Sequence, residues 1–304
     1  MRPHHEAIRP TTIIEAPRLS KRLGANVVIA SETFQWTGSF KFRAAYNVAL
    51  HVPNDHIVAA SSGNFGQALA YACQLTGKRC TVVMPHDSAQ VKVEAVRDYG
   101  ATVDLINVRE ISRSQRVQQI ASRSGEVYVA SAYDDPLVIE GNGSLGVELI
   151  ALGRRFDAMV VPVGGGGLIG GISQSVARTK SGTKVFGAEP ALGNDAARSL
   201  REGRLILNEQ EPKTIADGAR TVSLGQHNWA IVREHVAGII EVSEERIREG
   251  VRLLYDLANL KVEPTGALAI GALLAAPDQF RDQNVCCVVS GGNVDPAVYR
   301  ECIG

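Results

Sequence analysis

Thr37-Gly38-Ser39-Phe40-Lys41-Phe42-Arg43 sets one lysine directly behind a Gly-Ser turn. It stands at the head of an apolar helical pattern of Phe40, Ala44, Ala45, Val48 and Leu50. A lysine in the first turn of a helix can project into a cleft. Desolvation or a neighbouring cation there leaves its amine partly deprotonated, the form that condenses with an aldehyde. Lys41 is therefore a candidate attachment point for an aldehyde cofactor. The same residues equally suit a surface lysine behind an ordinary Ser39 N-cap, so the rest of the chain has to choose.

Outward from that stretch, strand-like and helical patterns alternate with short joints. Strand patterns fall at 25–30, 56–60, 80–85, 102–106, 127–130, 158–163, 184–188 and 285–289. Helical patterns fall at 41–51, 67–75, 88–99, 109–123, 137–152, 168–178, 244–259 and 266–274, with another inside 222–235. Near-continuous apolar strands separated by helices indicate α/β architecture, with parallel sheets covered on both faces. The expected fold is two open parallel-sheet α/β domains. A small domain of residues 57–134 is inserted into a larger one made of 1–56 and 135–304.

Composition removes several function classes. The 304 residues carry 32 basic and 32 acidic side chains, without the basic excess of a nucleic-acid binder. No apolar run reaches the roughly 20 residues that span a bilayer, and Met1 to Glu6 lack the apolar core of a secretory leader. The five cysteines, Cys73, Cys80, Cys286, Cys287 and Cys302, are an odd number without CxxC spacing; Cys286 and Cys287 lie in an apolar run and read as buried small apolar groups, which indicates a reduced compartment. A cytoplasmic protein acting on a small molecule is expected, without nucleic-acid or membrane partners.

Three loops follow strand C-termini, where open α/β sheets bind ligands. Gly164-Gly165-Gly166-Gly167, with Leu168 behind it, lets the backbone approach a bulky anion at a helix start, which suits a phosphate. No Gly-Lys-Ser/Thr follows, and GxGxxG spacing with a later acid is missing, so neither a Walker nor a dinucleotide motif is present. Ser61-Ser62-Gly63-Asn64 offers hydroxyl, amide and backbone donors to a carboxylate, or an N-cap with a turn. Ser290-Gly291-Gly292-Asn293 offers a hydroxyl to a ring nitrogen, or a plain turn.

In order and spacing, Gln35-x-Thr37-Gly38-Ser39-Phe40-Lys41-x-Arg43, Ser62-Gly63-Asn64, the four glycines and Ser290-Gly291-Gly292-Asn293 together resemble the pyridoxal-phosphate enzymes of fold type II. Asp134-Asp135-Pro136, Thr214-Ile215-Ala216-Asp217-Gly218 and Glu263-Pro264 extend the resemblance over nearly the whole chain. Within that class the chain is similar to the serine/threonine dehydratase and serine racemase family, with its tryptophan-synthase-β-like fold.

The resemblance implies pyridoxal 5'-phosphate as cofactor, held by Lys41 as a Schiff base, with Lys41 then taking the substrate's α-proton. Phe40 would pack by the cofactor ring and Asn64 would meet its 3-oxygen. Gly164, Gly165, Gly166, Gly167 and Leu168 would bind the phosphate, and Ser290 would face the pyridine nitrogen. Ser61, Ser62, Gly63 and Asn64 would hold the substrate carboxylate. The implied reaction is β-elimination of a β-hydroxy amino acid such as L-threonine or L-serine to a 2-keto acid and ammonia. Ser62 also matches the serine with which racemases reprotonate the α-carbon, so amino-acid racemisation is the alternative.

Glu189, Gly193 and Asp195 resemble the family's divalent-cation site for Mg²⁺ or Ca²⁺, and a solvated acidic loop is the other reading. The family also implies a homodimer. Phe65 where many relatives carry histidine, Trp36, Ala44 and Asn142-Gly143-Ser144 depart from the family pattern. Trp36 and Phe65 would reshape the substrate pocket, which brings in 3-hydroxyaspartate or a bulkier β-hydroxy amino acid.

Overall fold

A computed structural model describes residues 7–123 and 125–304. The first six residues, read above for a secretory leader, lie outside it. The described residues form ten strands. In chain order these are β1 (Thr12–Glu15), β2 (Asn26–Ser31), β3 (His56–Ala60), β4 (Arg79–Pro85) and β5 (Thr102–Ile106), followed by β6 (Val127–Ala130), β7 (Ala158–Pro162), β8 (Lys184–Pro190), β9 (Gly238–Val242) and β10 (Asn284–Val289). They build a six-stranded sheet of order β1-β2-β10-β7-β8-β9 and a four-stranded sheet of order β5-β4-β3-β6. Every pairing is parallel except the antiparallel edge pair β1–β2.

The larger unit comprises Arg9–Phe40 and Asn142–Gly304. Its sheet is buried on both faces, and the alternation along each strand shows it. Val27, Ile29, Val285, Cys287, Ala158 and Val160 enter one core with the helices Pro17–Leu23, Glu244–Ala258 and Leu268–Ala275. Ala30, Cys286, Val288, Met159 and Val161 enter the other with Leu145, Leu149, Ile169 and Ile172 from the helices Pro136–Ala151 and Gly167–Ala177. Successive side chains point to opposite faces, so apolar runs are what a doubly covered strand requires. Cys286 and Cys287 are fully buried, and burial pushes the Cys286 thiol up to about 12, so both behave as small apolar groups.

The smaller unit is built on Lys41–Gly141, with residues 7–8. This differs from the expected boundary at residue 57. The helix Lys41–His51 belongs here because Phe42 lies fully buried against Tyr71 of the helix Asn64–Thr76, ring centroids 5.4 Å apart. Asn47 Nδ2 also donates to Leu137 O at 2.8 Å, tying in the first turn of the helix Pro136–Ala151. At Gly141 a Cβ would stand 2.7 Å from Arg43 O, so only glycine permits that approach. Aromatic and hydrogen-bonded contacts made across long sequence separations drew the boundary, and no linker composition marked it.

Other differences are local. The edge strands β1 and β9 were not expected, because each is short, only partly buried and without a long apolar run. The expected helix at 109–123 begins at Arg113, after a turn in which Asn107 Oδ1 accepts from Arg109 N at 3.1 Å. A helix at Asp195–Glu202 occupies a stretch for which no helix was expected.

One packing detail fixes the helix behind the glycine loop. A Cβ at Gly146 would stand 2.8 Å from Ser175 Cβ, and one at Gly143 would stand 3.1 Å from Gly171 O. The helices 136–151 and 167–177 therefore meet backbone to backbone. Gly146→Leu is expected to force them apart and lower the urea midpoint by the equivalent of about 1–3 kcal/mol, measured by circular dichroism. An unchanged midpoint would refute this close crossing.

Candidate functional site

In the larger unit, β7 and β10 pair in parallel with Cys287 opposite Val160. The loops that follow these two strands therefore leave the same edge of the sheet. After β7, Gly164 and Gly165 form the turn, Gly166 is the N-cap at φ +90°, and Gly167 opens the next helix. The left-handed backbone at Gly166 favours glycine, and a Cβ there would also meet Leu224 Cδ2 at 2.7 Å. Among the described residues, no backbone N–H from Gly164 to Leu168 donates to another main-chain or side-chain group. These donors, at the positive end of a helix dipole, are what a phosphate needs.

The Gly165 carbonyl is, by contrast, doubly engaged. It accepts from Gly225 N at 3.1 Å and from Asn228 Nδ2 at 2.7 Å. Asn228 is fully buried on the helix Gln226–His235. Sequence reading passed over it, because an asparagine inside a helical pattern carries no signal of a partner 63 residues away.

After β10 comes Ser290, 1 % exposed, whose Oγ has no hydrogen-bond partner among the described residues. A buried hydroxyl without a partner costs on the order of 1–3 kcal/mol, and a ring nitrogen at this place would satisfy it. The stretch 38–40 is laid along this loop. Phe40 N donates to Ser290 O at 2.9 Å, Ser39 bridges Gly291, and Gly292 N donates to Gly38 O at 2.9 Å. Gly291 suits this close approach, since a Cβ would stand 2.9 Å from Ser39 Cβ and 2.7 Å from Glu263 Oε1. Phe40, the four glycines and Ser290 thus belong to one construction, although they are spread over 250 residues of chain (40 to 290).

The residues expected at a metal site meet at the end of β8. Glu189 Oε1 and Oε2 accept from Ala196 N at 3.0 Å and Ala197 N at 2.9 Å, so this carboxylate caps the helix Asp195–Glu202 from a neighbouring strand. Gly193 lies in the connecting turn. Asp195 accepts from Asn208 Nδ2 at 2.9 Å through Oδ1, while its Oδ2 is buried without a partner. Burial raises the Asp195 carboxyl to about 7. Burial, reinforced by the Asp195 charge, also raises that of Glu189. The alternative of a solvated acidic loop is therefore replaced by two buried acids. Two carboxylates and a carbonyl are donors that suit a hard divalent cation, and no third His, Cys, Asp or Glu joins them among the described residues.

In the smaller unit, Lys41 opens its helix, and its Nζ donates to Ala132 O at 2.7 Å. The same Nζ stands 5.8 Å from the centroid of the buried Phe65 ring. The asparagine loop thus lies beside Lys41, because Phe65 directly follows Asn64. Ser61 is buried at the end of β3. Its Oγ accepts from Gly66 N at 3.0 Å, which leaves its O–H free to donate elsewhere. Ser62 and Asn64 are half-buried and Gly63 is exposed. Asn64 opens the helix Asn64–Thr76 rather than preceding it, so the loop's backbone donors are those of a helix start. A Cβ at Gly66 would stand 2.8 Å from Ser61 O, which explains the small residue in this turn.

Known proteins share this arrangement of strands and loops. Residues 5–291 match the family described as pyridoxal-phosphate dependent enzyme. The chain is 36 % identical over 302 residues to L-threo-3-hydroxyaspartate ammonia-lyase of Saccharomyces cerevisiae, covering 98 % of this chain and 92 % of that one. It is 35 % identical over 300 residues to serine racemase of Homo sapiens, covering 95 % of this chain and 88 % of the other. The crystal structure of a threonine deaminase from T.th. superposes with a TM-score of 0.90 at 40 % identity, covering 95 % of this chain and 94 % of that one. No helix among the described residues is long and apolar enough to cross a membrane.

Ser61→Ala removes the acceptor that closes the turn onto Gly66. The expected cost is about 1 kcal/mol, a fall in thermal midpoint of roughly 2–4 °C. Differential scanning calorimetry would show it, and an unaltered midpoint would mean that the hydroxyl does not shape this loop.

Proposed function

Because the chain belongs to the pyridoxal-phosphate dependent enzymes of fold type II, we propose that it is an ammonia-lyase acting on a β-hydroxy amino acid. It would eliminate the β-hydroxyl as water, and the released enamine, through its imine tautomer, would take up one water to give a 2-keto acid and ammonia. The observation that carries this reading is Ser290, a neutral, buried hydroxyl with an unmet hydrogen bond at the end of β10. When bound, pyridoxal 5'-phosphate supplies an electron sink for charge developing at the substrate's α-carbon. A neutral serine opposite its ring nitrogen leaves that sink moderate, which favours loss of the β-hydroxyl over transamination.

The chain's own groups divide the remaining work. The N–H groups of Gly164, Gly165, Gly166, Gly167 and Leu168, unpartnered among the described residues, would hold the phosphate. Phe40 would pack beside the ring, and Asn64 would donate to its 3-oxygen. Lys41 would hold the cofactor, and its amine would take the substrate's α-proton. Its Nζ rests on the Ala132 carbonyl and near the aromatic face of Phe65, a partly desolvated position that suits an amine working as a base. Ser61, Ser62, Gly63 and Asn64 hold the substrate carboxylate with the free Ser61 hydroxyl and the helix-start N–H groups.

For substrate, 3-hydroxyaspartate stands beside threonine and serine, on the strength of the relatives that carry that name. Phe65, whose ring centroid lies 5.8 Å from Lys41 Nζ, would alter the space beside that amine. A racemase is the second reading. It rests on the half-buried Ser62 and on the serine racemase relatives. Glu189, Gly193 and Asp195 would bind Ca²⁺ or Mg²⁺ as a structural ion, since the carbon chemistry belongs to the cofactor.

Two measurements test these assignments. The purified holoprotein is offered L-threo-3-hydroxyaspartate, L-threonine and L-serine, and keto acid, ammonia and D-amino acid are all measured. Keto acid is expected in excess, whereas D-serine in excess of pyruvate would overturn the lyase. Lys41→Ala is expected to abolish the cofactor's visible absorbance and to lower turnover by at least about a thousandfold; retention of both would remove Lys41 from its role. For the metal, millimolar Ca²⁺ or Mg²⁺ is expected to raise the thermal midpoint by a few degrees through mass action. Asp195→Asn should abolish that response, and a wild-type midpoint that ignores both ions would exclude the site.

A further inference from the structure

We propose that Asn228 is a positioning residue that presets the glycine loop for the cofactor's phosphate, an inference that rests on the assignment of that loop above. Four successive glycines have the largest backbone freedom a chain can have. Without a constraint, an anion would have to order them on binding, and that ordering would be subtracted from its affinity. Asn228 supplies the constraint. It is 0 % exposed in the first turn of the helix Gln226–His235, and its Nδ2 donates to Gly165 O at 2.7 Å.

The consequence follows from peptide geometry. The Gly165 carbonyl and the Gly166 N–H share one planar trans unit, so they point in opposite directions. Two bonds, from Asn228 Nδ2 and Gly225 N, draw the carbonyl toward the helix Gln226–His235. They therefore turn the Gly166 N–H away from that helix, and it stays unpartnered with those of Gly167 and Leu168. Gly166 itself packs on the same helix, its Cβ position 2.9 Å from Asn228 Cβ. Asn228 thus fixes both the direction of one donor and the backbone of the next residue, without touching the anion.

The test separates the phosphate from the rest of the cofactor. Apoprotein is titrated with pyridoxal 5'-phosphate and, separately, with pyridoxal, following the visible absorbance of the bound aldehyde. Asn228→Ala and the nearly isosteric Asn228→Leu are compared with wild type after their thermal unfolding has shown folded protein; the leucine variant fills the volume if the alanine variant does not fold. Both are expected to bind pyridoxal 5'-phosphate about tenfold more weakly, the worth of one buried hydrogen bond, and pyridoxal within twofold of wild type. Unchanged affinity for pyridoxal 5'-phosphate, or an equal loss for both compounds, overturns the proposal. A wild-type protein that does not prefer pyridoxal 5'-phosphate to pyridoxal instead removes the phosphate assignment of the loop itself.

Discussion

Strand β10 hydrogen-bonds in parallel to β2 on one side and β7 on the other, and the larger unit's candidate site depends on that arrangement. Parallel neighbours in register deliver their C-terminal loops to one edge of the sheet. The Ser290 loop therefore emerges beside the glycine loop, and the stretch that ends at Phe40 is drawn along it by main-chain hydrogen bonds. The strand that does this is the last in the chain. Until it is in place, residues 38–40 have no loop to pair with.

The same edge concentrates groups that the fold leaves without partners. Among the described residues, the N–H groups of Gly164 to Leu168, the Ser290 hydroxyl and Asp195 Oδ2 lack internal hydrogen bonds, as do a few buried side-chain atoms elsewhere, such as His56 Nδ1 and Tyr299 Oη. Buried polar groups are elsewhere nearly always satisfied, and here the parallel strands themselves are, with both faces apolar. The unmet groups of this edge are thus stability given up where a ligand can restore it. The engaged groups nearby have the opposite role: Asn228 and Gly225 saturate the Gly165 carbonyl, and the Glu189 carboxylate saturates two helix N–H groups.

Much of this was legible in the residues. Apolar runs predicted eight of the strands because a doubly covered strand leaves no room for polar side chains, and the glycines announced close backbone approach. Lys41, Phe40, Asn64, Ser290 and the glycine loop stood out because each lies at a punctuated joint between a strand and a helix. What stayed hidden had no local signature. Asn228 sits in an ordinary helical pattern, Glu189 caps a helix that was not expected, and β1 and β9 are short edge strands. The division of the chain followed the packing of Phe42 on Tyr71 and the close approach at Gly141, neither of which is a property of a single segment.

The sequence by itself determined the α/β class, the positions of the strand-end loops and the chemistry each loop can offer, because these depend on side-chain periodicity, backbone freedom and functional groups within a few residues of one another. Tertiary structure alone decided which loops share a sheet edge, which polar groups are used up and which remain, and that a buried amide 63 residues away holds the glycine loop in place. Those are matters of distance across the sheet and of competition for hydrogen bonds, and they exist only once the strands have paired.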